Sequence, residues 1–155
     1  MRFVAGFAVA ASVFALTSVA AAQDMSATPT YGSVTLNTGF TPDPHTVSLT
    51  AGGSIDASTA PALSAASCRG YIANAADYEL TYTAGSTFPL KIRVVSDADT
   101  TLVVNAPDGS WYCADDVEGF NPVLTWTTPP SGVYDIWVGT YGQSMAPATL
   151  QITEL

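Results

Sequence analysis

Along residues 31–153, short segments rich in Val, Ile, Thr and aromatic residues are broken again and again by Gly, Pro, Asn and Asp, and none of them holds a helical period. A chain patterned this way buries its side chains by pairing strands. The segments expected to be strands are 31–37, 46–51, 70–73, 78–84, 90–96, 100–105, 110–113, 122–127, 132–139 and 149–153. Residues 53–67, with Ile55, Pro61, Leu63 and many Ala and Ser, read instead as a loop or one short helical turn. No internal repeat organises the chain.

Strand side chains alternate between faces, so composition along each segment assigns an inside and an outside. Leu90, Ile92 and Val94 should face a core while Lys91 and Arg93 face water. Tyr78, Leu80 and Tyr82 oppose Glu79, Thr81 and Thr83, and Tyr134, Ile136 and Val138 oppose Asp135 and Trp137. The fold class expected is therefore all-β: an antiparallel β-sandwich of two packed sheets spanning residues 31–155. The 155 residues of the whole chain suit one domain.

The first 22 residues read as an address. Met1 and Arg2 give a positive end, an apolar run follows from Phe3 to Leu16, and Ala20-Ala21-Ala22 supplies the small side chains a signal peptidase accepts. Thr17 and Ser18 break the run too early for a membrane span. Residues 23–30 are polar and small, a flexible lead-in. The expected product is periplasmic or secreted, with no membrane attachment after cleavage. In an oxidising compartment Cys68 and Cys113 should form one disulfide.

Net charge is −9, and removing Arg2 leaves only Arg69, Lys91 and Arg93 against thirteen carboxylates. Such a surface repels phosphate backbones, so nucleic-acid partners are excluded. Nucleophilic and zinc chemistry lack their parts: the one histidine, His45, reads as a packing residue at the rim of the core, and neither G-x-S-x-G nor H-E-x-x-H occurs. A carboxylate-dependent glycan-active enzyme using Asp115 or Asp116 with Glu118 is an alternative, and a purely structural envelope protein is another.

Between residues 97 and 118, Asp97, Asp99, Asp108, Asp115, Asp116 and Glu118 occur with no Lys or Arg among them. Carboxylates gathered by a fold either splay into water or hold a cation, and outside the cytoplasm calcium is the cation suited to them. Asp97, Asp99, Asp108, Asp115 and Asp116 are the candidate metal ligands, with turn and strand-end capping as the competing use of the same residues. If Cys113 turns inward toward Cys68, alternation sends Trp111 inward and Tyr112 outward. Trp137 is outward by the same rule, and Tyr141 lies in a Gly-flanked loop. Tyr112, Trp137 and Tyr141 are thus the candidate contacts for a protein or polysaccharide ligand.

Residues 97–104, Pro107-Asp108-Gly109, Asp115-Asp116, Asn121-Pro122 and residues 131–138 together resemble the bacterial pre-peptidase C-terminal domain family, over roughly residues 88–138. The resemblance implies a non-catalytic jelly-roll β-sandwich of the kind appended to secreted peptidases, with calcium in some relatives. It also implies that Asp99 opens a core strand, that Asp115 and Asp116 occupy an acidic loop, and that Tyr134 anchors the last long strand. The Cys68 and Cys113 pair and the Thr100-Thr101 link depart from the family pattern.

Overall fold

Alternating burial along the apolar segments builds two sheets in the computed structural model, which describes residues 23–155; the segment 1–22, expected to be a signal, lies outside the described residues. The strands are β1 (Ser33–Asn37), β2 (His45–Ala51), β3 (Ile55–Asp56), β4 (Tyr71–Ile72), β5 (Tyr78–Thr83) and β6 (Leu90–Val95). They continue as β7 (Thr100–Asn105), β8 (Trp111–Ala114), β9 (Val123–Trp126), β10 (Gly132–Thr140) and β11 (Ala146–Thr153). Between β3 and β4 a 3-10 turn (Ala57–Thr59) leads into a single helical turn, α1 (Pro61–Ala65). The two-residue β3 is an element that alternation could not reveal, because it is too short to show a period.

One sheet has seven strands and is built around β10. β5 and then β4 pair along one edge of β10, β7 pairs along the other, β1 extends beyond β5, β3 beyond β4, and β8 beyond β7. The second sheet runs β2-β11-β6-β9. From β5 onward the chain crosses repeatedly between the two layers, the jelly-roll-like wrapping expected of an antiparallel sandwich. Among the described strands the one parallel pair is β1 with β5, and the isolated Asp24–Ala75 bridge is parallel as well.

Tyr78, Leu80, Tyr82, Tyr134, Ile136 and Val138 from one sheet meet Leu90, Ile92, Val94, Leu150 and Ile152 from the other, all buried, as their alternation requires. His45 sits at the edge of this layer, with Nε2 3.1 Å from the Tyr78 hydroxyl. Burial lowers its pKa.

A second core lies on the opposite face of the seven-stranded sheet and corrects two of the facial assignments. Trp137, Val103 and Cys113 are register partners across β10, β7 and β8, so their side chains share one face. That face is roofed by Ala57, Ala60 and Leu63 of the 3-10 and α1 segment, and the Cys68–Cys113 disulfide stitches the roof to β8 with a Cα–Cα distance of 5.2 Å. Trp137, expected outside, is fully buried beneath it and packs against Trp111 at 5.4 Å between ring centroids. Tyr112 turns the other way, toward the layer between the sheets, and meets the edge of Trp126 at 5.3 Å. Alternation correctly grouped Trp111 with Cys113, but it could not say that both faces of the sheet would be covered. β7, buried at every position, is the direct result.

Candidate functional site

The β7–β8 hairpin is antiparallel, with Leu102 opposite Ala114. The residue before β7 and those after β8 therefore emerge side by side, and the carboxylates of Asp99, Asp115 and Asp116 come together with one oxygen of each within 4.8 Å of the others. The backbone amide of Tyr141 donates to the Asp99 carbonyl at 3.0 Å, which holds the β10–β11 loop against this corner. Thr100 is similarly tied to the Phe120 carbonyl at 3.1 Å.

Electrostatics at the corner follow from burial first and from crowding second. Burial raises the pKa of Asp99, and the neighbouring Asp116 charge adds to the rise. Asp115 is raised by burial and then by Asp116 and Asp99, with Arg69 acting against them. Oδ1 of Asp99 and Oδ1 of Asp115 are both shielded from water without a hydrogen-bond donor. An acceptor in that position loses roughly 1–3 kcal/mol of solvation unless something supplies positive charge.

Two of the five expected metal ligands lie elsewhere. Asp108 is in the turn at the far end of the hairpin, and the six residues of β7 place it about 20 Å from the acidic corner. There Oδ1 accepts from the Ser110 amide at 2.9 Å and Oδ2 from the Tyr112 hydroxyl at 3.1 Å, and the backbone hydrogen bond from Ser110 leads in lowering its pKa. Asp108 thus does turn chemistry. Asp97 lines a different hollow with Ser96, Pro147 and Thr149, because the chain bends at residues 97–98 instead of extending and so does not carry Asp97 and Asp99 on one side. Glu118, the partner carboxylate of the glycan-active alternative, is bound to Arg93 at 3.0 Å.

Beside the corner, three shallow hollows adjoin in a row. The first is walled by Asp115 and Arg69 and the second, about 210 Å³, by Arg69, Tyr71 and Tyr141. The third is lined by Tyr71 and Gln143. Arg69 joins the first two and Tyr71 the last two, so the surface offers one polar trough with aromatic walls. Of the three aromatic contacts expected from sequence, Tyr141 is 54% exposed and lines this trough. Trp137 is buried, and Tyr112 is half-buried against Trp126 on the far side of the sheet. Arg69 and Tyr71 were missed. A signal for Arg69 existed: it follows Cys68, and Asp115 lies two residues after Cys113, so the disulfide itself brings them near each other.

No family model matches the chain, and no curated protein matches it. Among solved structures, it is similar to PliG of Aeromonas hydrophila, a periplasmic lysozyme inhibitor of g-type lysozyme. That alignment covers 78% of this chain and 96% of the other at 15% identity, with a TM-score of 0.40. Among the described residues no helix is long and apolar enough to cross a membrane.

Proposed function

We propose that this chain is an exported, non-catalytic β-sandwich binding module, akin to the pre-peptidase C-terminal domain. In this reading its acidic corner holds calcium and the adjoining trough holds a protein or polysaccharide ligand. The observation that carries the reading is the meeting of Asp99, Asp115 and Asp116 with two carboxylate oxygens shielded and unpartnered. Two carboxylates about 4 Å apart repel by roughly 1 kcal/mol in water and roughly 4 kcal/mol at the effective dielectric of a protein surface. A hard divalent cation offsets that repulsion and satisfies the unpartnered oxygens in one step. Calcium suits the donor set because it accepts oxygen ligands in loose geometry. The three aspartates would hold it, and the charge it supplies would fix the β6–β7, β8–β9 and β10–β11 loops around the head of the trough.

The test is thermal unfolding of the exported chain in EDTA and in excess calcium. A cation that binds only the folded state stabilises it by about 2.7 kcal/mol at a hundred times its Kd. A higher midpoint in calcium, absent in Asp99→Asn, is the expected result, and identical midpoints in EDTA and calcium would remove the ion. The glycan-active alternative makes a separate demand: new reducing ends must appear from a polysaccharide and vanish in Asp115→Asn or Asp116→Asn. We expect none.

A further inference from the structure

If cleavage follows Ala20-Ala21-Ala22, Gln23 becomes the first residue and its α-amine is free. This residue is not left trailing in solvent. Gln23 is 5% exposed, and its neighbour Asp24 bridges Ala75, donating its amide to the Asn74 carbonyl at 3.0 Å. The Asp24 side chain then caps Ser26, accepting from its amide at 3.0 Å, and further on the Thr30 amide donates to the Ala76 carbonyl at 2.9 Å. The segment is laid along residues 74–77 from its first described residue.

Burial at that point sets an electrostatic problem. The Gln23 side-chain nitrogen, Nε2, is shielded from water with no hydrogen-bond partner. A shielded amide donor without an acceptor destabilises the fold. Cleavage would add a charged ammonium on the same residue, next to that unpartnered donor. One intramolecular reaction removes both groups, and it is open only to a glutamine or glutamate in first position.

We propose that Gln23 is a modification site: after cleavage it cyclises to pyroglutamate. In this step the α-amine nitrogen attacks the side-chain carbonyl carbon Cδ and a new N–Cδ bond forms. The Cδ–Nε2 bond breaks, a proton passes from the α-amine to Nε2, and ammonia leaves. No oxidant, reductant or co-substrate is consumed. The reacting groups belong to one residue, so ring closure needs no encounter. The product keeps one N–H and one carbonyl, loses the shielded NH2 and carries no charge, which suits the residue's buried position. The proposal rests on cleavage after Ala22, independently of any ligand at the acidic corner.

Export of the full chain, followed by intact-mass measurement and Edman degradation, tests it. The expected product is blocked to Edman degradation and lighter than residues 23–155 by one ammonia. The Gln23→Ser variant reports the cut alone, because serine cannot close the ring: its degradation should begin Ser-Asp-Met. An unblocked wild-type chain beginning Gln-Asp-Met, beside a correctly cut Gln23→Ser, would overturn the cyclisation. A Gln23→Ser chain that begins elsewhere would overturn the cleavage on which it depends.

Discussion

Asp77 carries more consequence than its place in the loop before β5 suggests. It is 3% exposed, and its Oδ2 accepts the Val138 amide at 2.7 Å in the middle of β10. Burial lifts its pKa to about 7, against the opposing pull of that hydrogen bond. Unfolded, the group titrates near 3.9. The folded protein therefore binds the proton more tightly than the unfolded chain, so Asp77's contribution is fully present below about pH 4. It is lost as pH rises toward 7, a change on the order of a few kcal/mol. We expect the melting temperature to fall across that window. Asp77→Asn keeps an acceptor for Val138 without the ionisation, so its curve should be flatter there and cross above the wild type near pH 8. Parallel curves for the two proteins would show that Asp77 does not control the titration.

At the scale of elements, the unexpected piece is the roof. Residues 57–65 contain no periodic apolar face long enough to announce a helix, yet Ala57, Ala60 and Leu63 cover Trp137 and Val103. Small side chains let the segment lie close to the sheet, and Gly139 of β10 contributes to the same fit: a Cβ there would collide with the Thr101 side chain and with Ile72. The disulfide is the fastening, closing a separation of 45 residues. A loop of that length corresponds to about 4 kcal/mol in the chain-entropy treatment. Replacing both cysteines, Cys68→Ala with Cys113→Ala, should lower stability by roughly that much and move tryptophan emission toward the red as water reaches Trp137. If the double variant melts lower with unchanged emission, the roof is held by packing alone. The same arrangement explains why Trp137 could not be a ligand contact: the face it occupies was free by alternation and occupied by tertiary structure.

For the whole molecule, charge sets the terms of association. Net charge is −9, and of the three cations beyond residue 22, Arg93 already pairs with Glu118. Arg69 stands between the acidic corner and the trough. Mutual repulsion among so many carboxylates weakens the compact state and is screened by salt. We expect the melting temperature in EDTA to rise modestly as sodium chloride is increased; a fall would mean that ion pairs outweigh the repulsion. Calcium should act beyond that screening and at far lower concentration, and Arg69→Ala should sharpen the contrast by removing the charge that opposes Asp115's rise.

All the strands but β3, their alternating faces between the sheets, the disulfide and the acidic character were legible in the chain, because each is written in local period, residue type or spacing. Tyr134, Ile136 and Val138 fell inside as their spacing demanded. Local pattern could not decide which outward faces would meet water. That depended on residues 53–67 folding back over β7 and β10, a contact between segments far apart in the chain. Nor could it choose among six acidic residues: only the pairing of β7 with β8 brings Asp99 to Asp115 and Asp116 while carrying Asp108 to the opposite end. Proximity across a sheet is a property of register, and register is fixed by the packing of whole elements, not by any one of them.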